Sequence, residues 1–152
     1  MSLDIDTILN GVVSHNLASG WFERVNQYEP KNAPGHGLTA AIWSQAIDPL
    51  PQASGLNSTT SRVTFMERIY SNALQEPADM IDPNVIKATD VLMTAYSGDF
   101  TLGGTIRDVD LLGMYGTALR AQAGYVTINQ TIYRCMDITL PLVVNDLWSQ
   151  AA

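Results

Sequence analysis

Apolar and polar positions recur along this chain with two different periods, and the switches between them mark out its elements. Near the start, Ile5, Ile8, Leu9, Val12 and Val13 fall at i, i+3, i+4, i+7 and i+8, which makes one apolar stripe on a helix. Asp4 and Asp6 sit at the positive end of the helix dipole and Ser19-Gly20 closes it, so the pattern predicts a helix from Asp4 or Asp6 to Ala18. Trp21 to Tyr28 reads as a short, weak strand, and Glu29 to Gly37 as a loop rich in proline and glycine. A second strand is expected over Leu38–Ile47. The polar, turn-rich stretch Asp48–Ser61 suits a long hairpin loop. From Arg62 to Ser71 the period is two. Val63, Phe65, Glu67 and Ile69 share one face, with Arg62, Thr64, Met66, Arg68 and Tyr70 on the other.

The helical period returns after Asp82-Pro83, with Asp82 expected as N-cap and Pro83 as the first helical residue. Val85, Ala88, Thr89, Leu92, Met93 and Tyr96 make the inward stripe, and Ser97-Gly98 ends it. A bend at Leu102-Gly103-Gly104 leads into three expected strands, Arg107–Gly116, Ala118–Asn129 and Thr131–Val144, the last two joined by a tight turn at Asn129-Gln130. The order α-β-β-β-α-β-β-β predicts an α+β fold: a mainly antiparallel β-sheet with two helices packed on one face. No repeat or linker divides the chain, so residues 1–152 are expected to form a single domain. A chain of this length buries roughly 70% of its unfolded surface.

Charge changes the picture more than composition does. Charged residues make up 15% of the chain and the net charge is −7. The two lysines are Lys31 and Lys87, and the acidity is spread over both halves. A protein that grips nucleic acid needs a basic footprint, because phosphate neutralisation supplies much of the affinity. Here the expected relation to nucleic acid is repulsion or passage. No apolar run nears the ~20 residues that span a bilayer. The opening MSLDIDTILNGVV has no basic n-region or cleavage pattern, so no signal peptide is expected. The single cysteine, Cys135, has no partner in the chain for a disulfide.

Little in the sequence points to catalysis. His15 and His36 are the two histidines, and neither has a G-x-S-x-G serine or an activated cysteine near it in sequence. Asp108 and Asp110 form a D-x-D pair whose side chains would share a strand face, a weak pattern for a hard cation and a better one for a charged surface or subunit contact. Gly103-Gly104 lacks the lysine of a phosphate loop. Trp21, Trp43, Trp148 and the tyrosines lack the interleaved basic residues of a stacking platform, and read as core or interface anchors. The residues therefore predict no enzyme, no cofactor and no metal. The loops Glu29–Gly37 and Asp48–Ser61 are long enough to be ordered on a partner.

The layout of an amphipathic helix, a hairpin with a long loop, an Asp-Pro helix and terminal strands resembles that of siphophage tail terminator proteins. PADMIDPNVIKATDVLMTAYSGDFTLGG, followed by RDVDLLGMYGTALRAQAGYVTINQTIYRCMDITLPLVVND, is similar to the tail terminators of phages of actinobacteria. The resemblance covers most of the chain and rests on element order and texture. It implies a homo-oligomer, a hexameric ring that caps the tail tube protein and stops elongation. The ring then joins the head-completion (stopper) protein while genomic DNA passes through its lumen without specific binding. It places the chain in the virion tail at the head–tail junction, after assembly in the host cytoplasm. A head–tail connector or stopper role shares these features, and a small-molecule-binding α+β domain is the reading from a different class. On residue grounds, Asp48, Leu50, Gln52, Leu56, Asn57 and His36 are the expected interface positions, and Glu67, Asp108 and Asp110 the expected acidic lumen lining.

Overall fold

A computed structural model of the chain describes residues 3–22, 24–27, 38–51, 54, 58–72, 81–128 and 130–149. Its elements are α1 (Ile5–Ser19), β1 (Arg24–Asn26), β2 (Thr39–Pro49), β3 (Ser58–Asn72), α2 (Ile81–Gly98), β4 (Asp108–Val109), β5 (Arg120–Ile128) and β6 (Thr131–Ser149). The α+β order read from the sequence holds, including the weak first strand.

Local chemistry sets the ends of α1. The Asp4 carboxylate accepts from the Thr7 backbone N–H at 3.3 Å and from the Thr7 hydroxyl at 2.6 Å, satisfying a donor that the first turn leaves open. These bonds hold its pKa below the ordinary carboxylate value. Gly20 closes the helix at φ 75° and donates to Leu17 O at 3.4 Å, a conformation glycine adopts without a Cβ penalty. Helix α2 starts at Ile81, so Asp82 lies inside the first turn and is not the N-cap. Pro83 is tolerated there because first-turn amides have no intrahelical acceptor. Val85, Ala88, Thr89, Leu92 and Tyr96 are all buried, as their spacing predicts.

The sheet order is β1-β2-β3-β6-β4, with β5 also paired to β6. Strand β6 organises it: one edge pairs β3 along its length, and the other is shared by β5 over Thr131–Thr139 and β4 at Leu142–Val143. The described pairings are antiparallel except β1 with β2, a short parallel contact of Arg24–Asn26 against Thr39–Ala41. On the helix-facing side, Val63, Phe65 and Ile69 of β3 and Ile138, Leu140 and Leu142 of β6 pack with Ile8 and Val12 of α1 and Val85, Leu92 and Tyr96 of α2. The opposite side carries a smaller cluster of Ala41, Tyr70, Tyr133 and Cys135.

Two further expectations need correction. The hairpin loop is shorter than Asp48–Ser61, because β2 runs to Pro49 and β3 begins at Ser58. The Leu50 N–H donates to Thr60 O at 2.9 Å and the Ser54 hydroxyl to Leu50 O at 2.7 Å. The second correction is Arg107–Gly116, which is a strand only at Asp108–Val109. After that the chain coils, with positive φ at Gly113 (77°) and Gly116 (151°). The Gln130 half of the tight turn has φ 67°, the left-handed backbone two-residue hairpins use; Asn129 lies outside the described residues.

Candidate functional site

The three expected lumen carboxylates end in three different environments. Glu67 is 0% exposed, on the helix-facing side of β3. Tyr96 Oη donates to its Oε1 at 2.5 Å, and Asn16 Nδ2 lies 3.4 Å from the same oxygen. Burial pushes its pKa up to about 7, against the pull of the hydrogen bonds from Tyr96 and Asn16. Burial and the Glu67 carboxylate together push the Tyr96 phenol well above its ordinary value. Glu67 is thus a core residue and not a lumen-facing charge. Strand alternation put it on the apolar face, and that face is the one the helices cover.

Asp110 is 5% exposed, and it lines the same groove as Asp108. The chain turns at this residue, whose carboxylate accepts from the backbone N–H of Met114 at 2.7 Å and of Tyr115 at 3.0 Å. Arg62 Nη2 reaches it at 3.4 Å and also donates to Thr117 O. Gly116 completes the staple, since a Cβ there would lie 3.2 Å from the guanidinium carbon. Asp110 is therefore a structural anchor, which removes it from the lumen set. Asp108 keeps partial exposure, 3.8 Å from Arg107 Nε. Burial, opposed by Arg107, raises its pKa.

Of the expected interface positions, Asp48 is exposed at the end of β2, and its carbonyl accepts from the Ser61 hydroxyl at 2.9 Å. Leu50 is only 4% exposed, so its side chain packs inward. Gln52, Leu56, Asn57 and His36 lie outside the described residues. His15 is half-buried: its Nε2 lies 2.9 Å from Asp99 Oδ2 and its ring meets Tyr96 edge-on with centroids 5.9 Å apart. Hydrogen bonds from the Gly103 N–H and from His15 hold the Asp99 pKa down. The pair clasps α1 to the end of α2. Cys135 is buried, and burial raises its thiol pKa, the opposite of what an activated nucleophile needs. Among the described residues no three His, Cys, Asp or Glu side chains converge as metal ligands. No described helix is long and apolar enough to cross a membrane.

The loop after β4 is the feature that the strand reading missed. Leu112 is 94% exposed and Met114 80%, on a segment held from beneath by Asp110 and Arg62. A surface groove of about 350 Å³ runs beside them, lined by Phe100, Val109, Leu111, Leu112 and Met114 among others. The signal lay in the sequence: two apolar pairs broken by Gly113 and bracketed by Asp110 and Gly116. The helix-free side of the sheet adds a second surface. There Arg68 makes two hydrogen bonds to Asp137, at 2.6 and 3.3 Å, and its guanidinium lies 5.6 Å from the Trp43 ring centroid. Asp137 raises the arginine's pKa further.

No family model matches the chain, and no curated protein sequence does. Among solved structures it is similar to a chain of one described as the virion of a native gene transfer agent (GTA) particle. The identity is 11%, the match covers 90% of this chain and 92% of that one, and the TM-score is 0.40. A likeness that loose carries no argument about what this chain does.

Proposed function

We propose that this protein is a structural subunit of a phage tail. It assembles into a ring that caps the tail tube and joins it to the head-completion protein, with DNA passing through the lumen. The observation that carries this reading is the stapled loop at 110–117. A buried ion pair and two backbone hydrogen bonds hold rigid a segment whose Leu112 and Met114 side chains face water. Ordering an exposed apolar loop this firmly lowers the entropy lost when a partner covers it, and a contiguous exposed apolar surface marks an interaction site. Of the groups weighed for chemistry, His15 pairs with Asp99, Asp110 accepts from the Met114 N–H, and Cys135 is buried. The sequence resemblance to tail terminators supplies the identity of the partners. The net charge of −7 suits a lumen that DNA must slide through.

In this reading Leu112 and Met114 contact a neighbouring subunit, Asp48 and the loop after it contact the tube or a neighbour, and Asp108 is the remaining candidate for lumen charge. Light scattering and negative-stain imaging of the purified chain, alone and with tail tubes, test it. Rings of about six subunits, or caps on tube ends, are the expected result. A monomer that leaves tubes uncapped sinks the proposal and favours the small-molecule alternative.

A further inference from the structure

Two buried oxygens between the helices and the sheet, Asn16 Oδ1 and Glu67 Oε2, have no hydrogen-bond partner among the described residues. Leaving such bonds unmade is costly, so the pair asks for an occupant. The Asn16 amide is not free to turn over, because its nitrogen donates to Val12 O at 2.9 Å and to Tyr96 Oη at 3.0 Å. Tyr96 in turn commits its single proton to Glu67 Oε1. The cluster therefore holds two open acceptors and is short of one donor.

No cation among the described residues fills the gap. The strand neighbours of Glu67 are Ile42 on β2 and Ile138 on β6. Helix α1 brings Asn16 and, beside it, His15, whose ring nitrogen is engaged with Asp99. Helix α2 brings Tyr96 and, at its end, Asp99. The remaining titratable groups described on the two helices, Asp6, Lys87 and Asp90, are exposed.

We propose that Glu67, Asn16 and Tyr96 form a buried proton-binding site whose occupied state clasps α1 and α2 to the sheet and whose emptying loosens α1. The proton rides on Glu67 Oε2 and is given to Asn16 Oδ1, directly or across one buried water. Both open oxygens are then satisfied. Without it, Oε2 is a desolvated charge with no described counter-ion, and the contact that strains is the one to Asn16, the α1 member of the cluster. Burial places the release of this proton near pH 7. The folded-state pKa lies above the ordinary value of 4.5, so the folded chain binds more protons than the unfolded one. The stabilisation is therefore complete below about pH 4.5 and is lost as pH rises through about 7.

Urea unfolding of the wild type and Glu67→Gln across about pH 5 to 8.5 tests the site. In the wild type the unfolding constant should rise roughly a hundredfold over that range, because it climbs tenfold for each pH step while only the folded chain holds the proton. In Glu67→Gln, whose amide supplies a fixed donor, it should rise far less. Parallel curves overturn the proposal. If the variant does not fold, infrared spectra of wild type carrying ¹³C-labelled glutamate decide it. A protonated-carboxyl band present near pH 6 and gone by about pH 8.5 supports the site, and no band near pH 6 refutes it. Amide exchange, corrected for intrinsic rates, should show protection in α1 falling ahead of β3 and β6 as pH passes neutrality. An equal loss across sheet and helix overturns the clasp.

Discussion

The molecule buries two carboxylates in two regions and treats them differently. Asp110, under the exposed loop, meets a guanidinium and two backbone N–H groups. Glu67, under the helices, meets a phenol and an amide, and no cation among the described residues. In the first region a full charge is compensated where it lies, and the compensation shapes the chain around it. In the second the charge is left to the solvent pH, and the fold is most comfortable when it is absent. Burial alone does not say what a carboxylate does; the donors brought to it by other elements do.

The sharpest way to break this contrast is Asp110→Ala. It strands Arg62 in a buried position and releases the turn at Met114 and Tyr115. Losing one member of a buried pair costs about 3–5 kcal/mol, so the urea midpoint should drop sharply and protease should cut within 110–118. A variant with wild-type stability and an uncut loop would mean the staple contributes nothing. On the Glu67 side, Tyr96→Phe removes the donor that opposes the upward shift. The cost should be about 1–2 kcal/mol, and the pH window over which stability falls should move up, because the remaining pull on Glu67 is weaker. A window that moves down contradicts the network.

Smaller effects sharpen the picture. Gly116→Ala forces a Cβ against the Arg62 guanidinium at a φ of 151°, a backbone region L-residues rarely enter. A loss of about 1–3 kcal/mol is expected, read by thermal melting, and no loss would show that the loop yields. Leu112→Asp combined with Met114→Asp should change monomer stability least, within about 0.5 kcal/mol, while abolishing ring or cap formation in light scattering and imaging. Wild-type assembly by that double variant would move the interface elsewhere.

Much of the fold was legible in the residues. The apolar stripe of α1 with its Asp4 and Gly20 ends, the inward face of α2 and the alternation of β3 are local patterns, and they came out as read. The parallel pairing of β1 with β2 was not legible, because nothing in RVN or TAA chooses a direction. The candidate site was less legible than the fold. Alternation placed Glu67 correctly on the apolar face, yet its acidic side chain suggested an outward role. Asp110 looked like part of a strand because Val109 and Leu111 flank it, whereas its carboxylate captures two amides further along the chain and ends the strand there.

What the sequence determined by itself was therefore the set of elements and the even acidity, since periodicity, caps and net charge act within a few residues or over the chain as a whole. Tertiary structure alone decided which of three similar carboxylates would be paired, which would hold a proton and which would stay partly in water. Those outcomes depend on donors contributed by segments tens of residues away: Arg62 to Asp110, Tyr96 and Asn16 to Glu67. Only the folded chain brings them within reach.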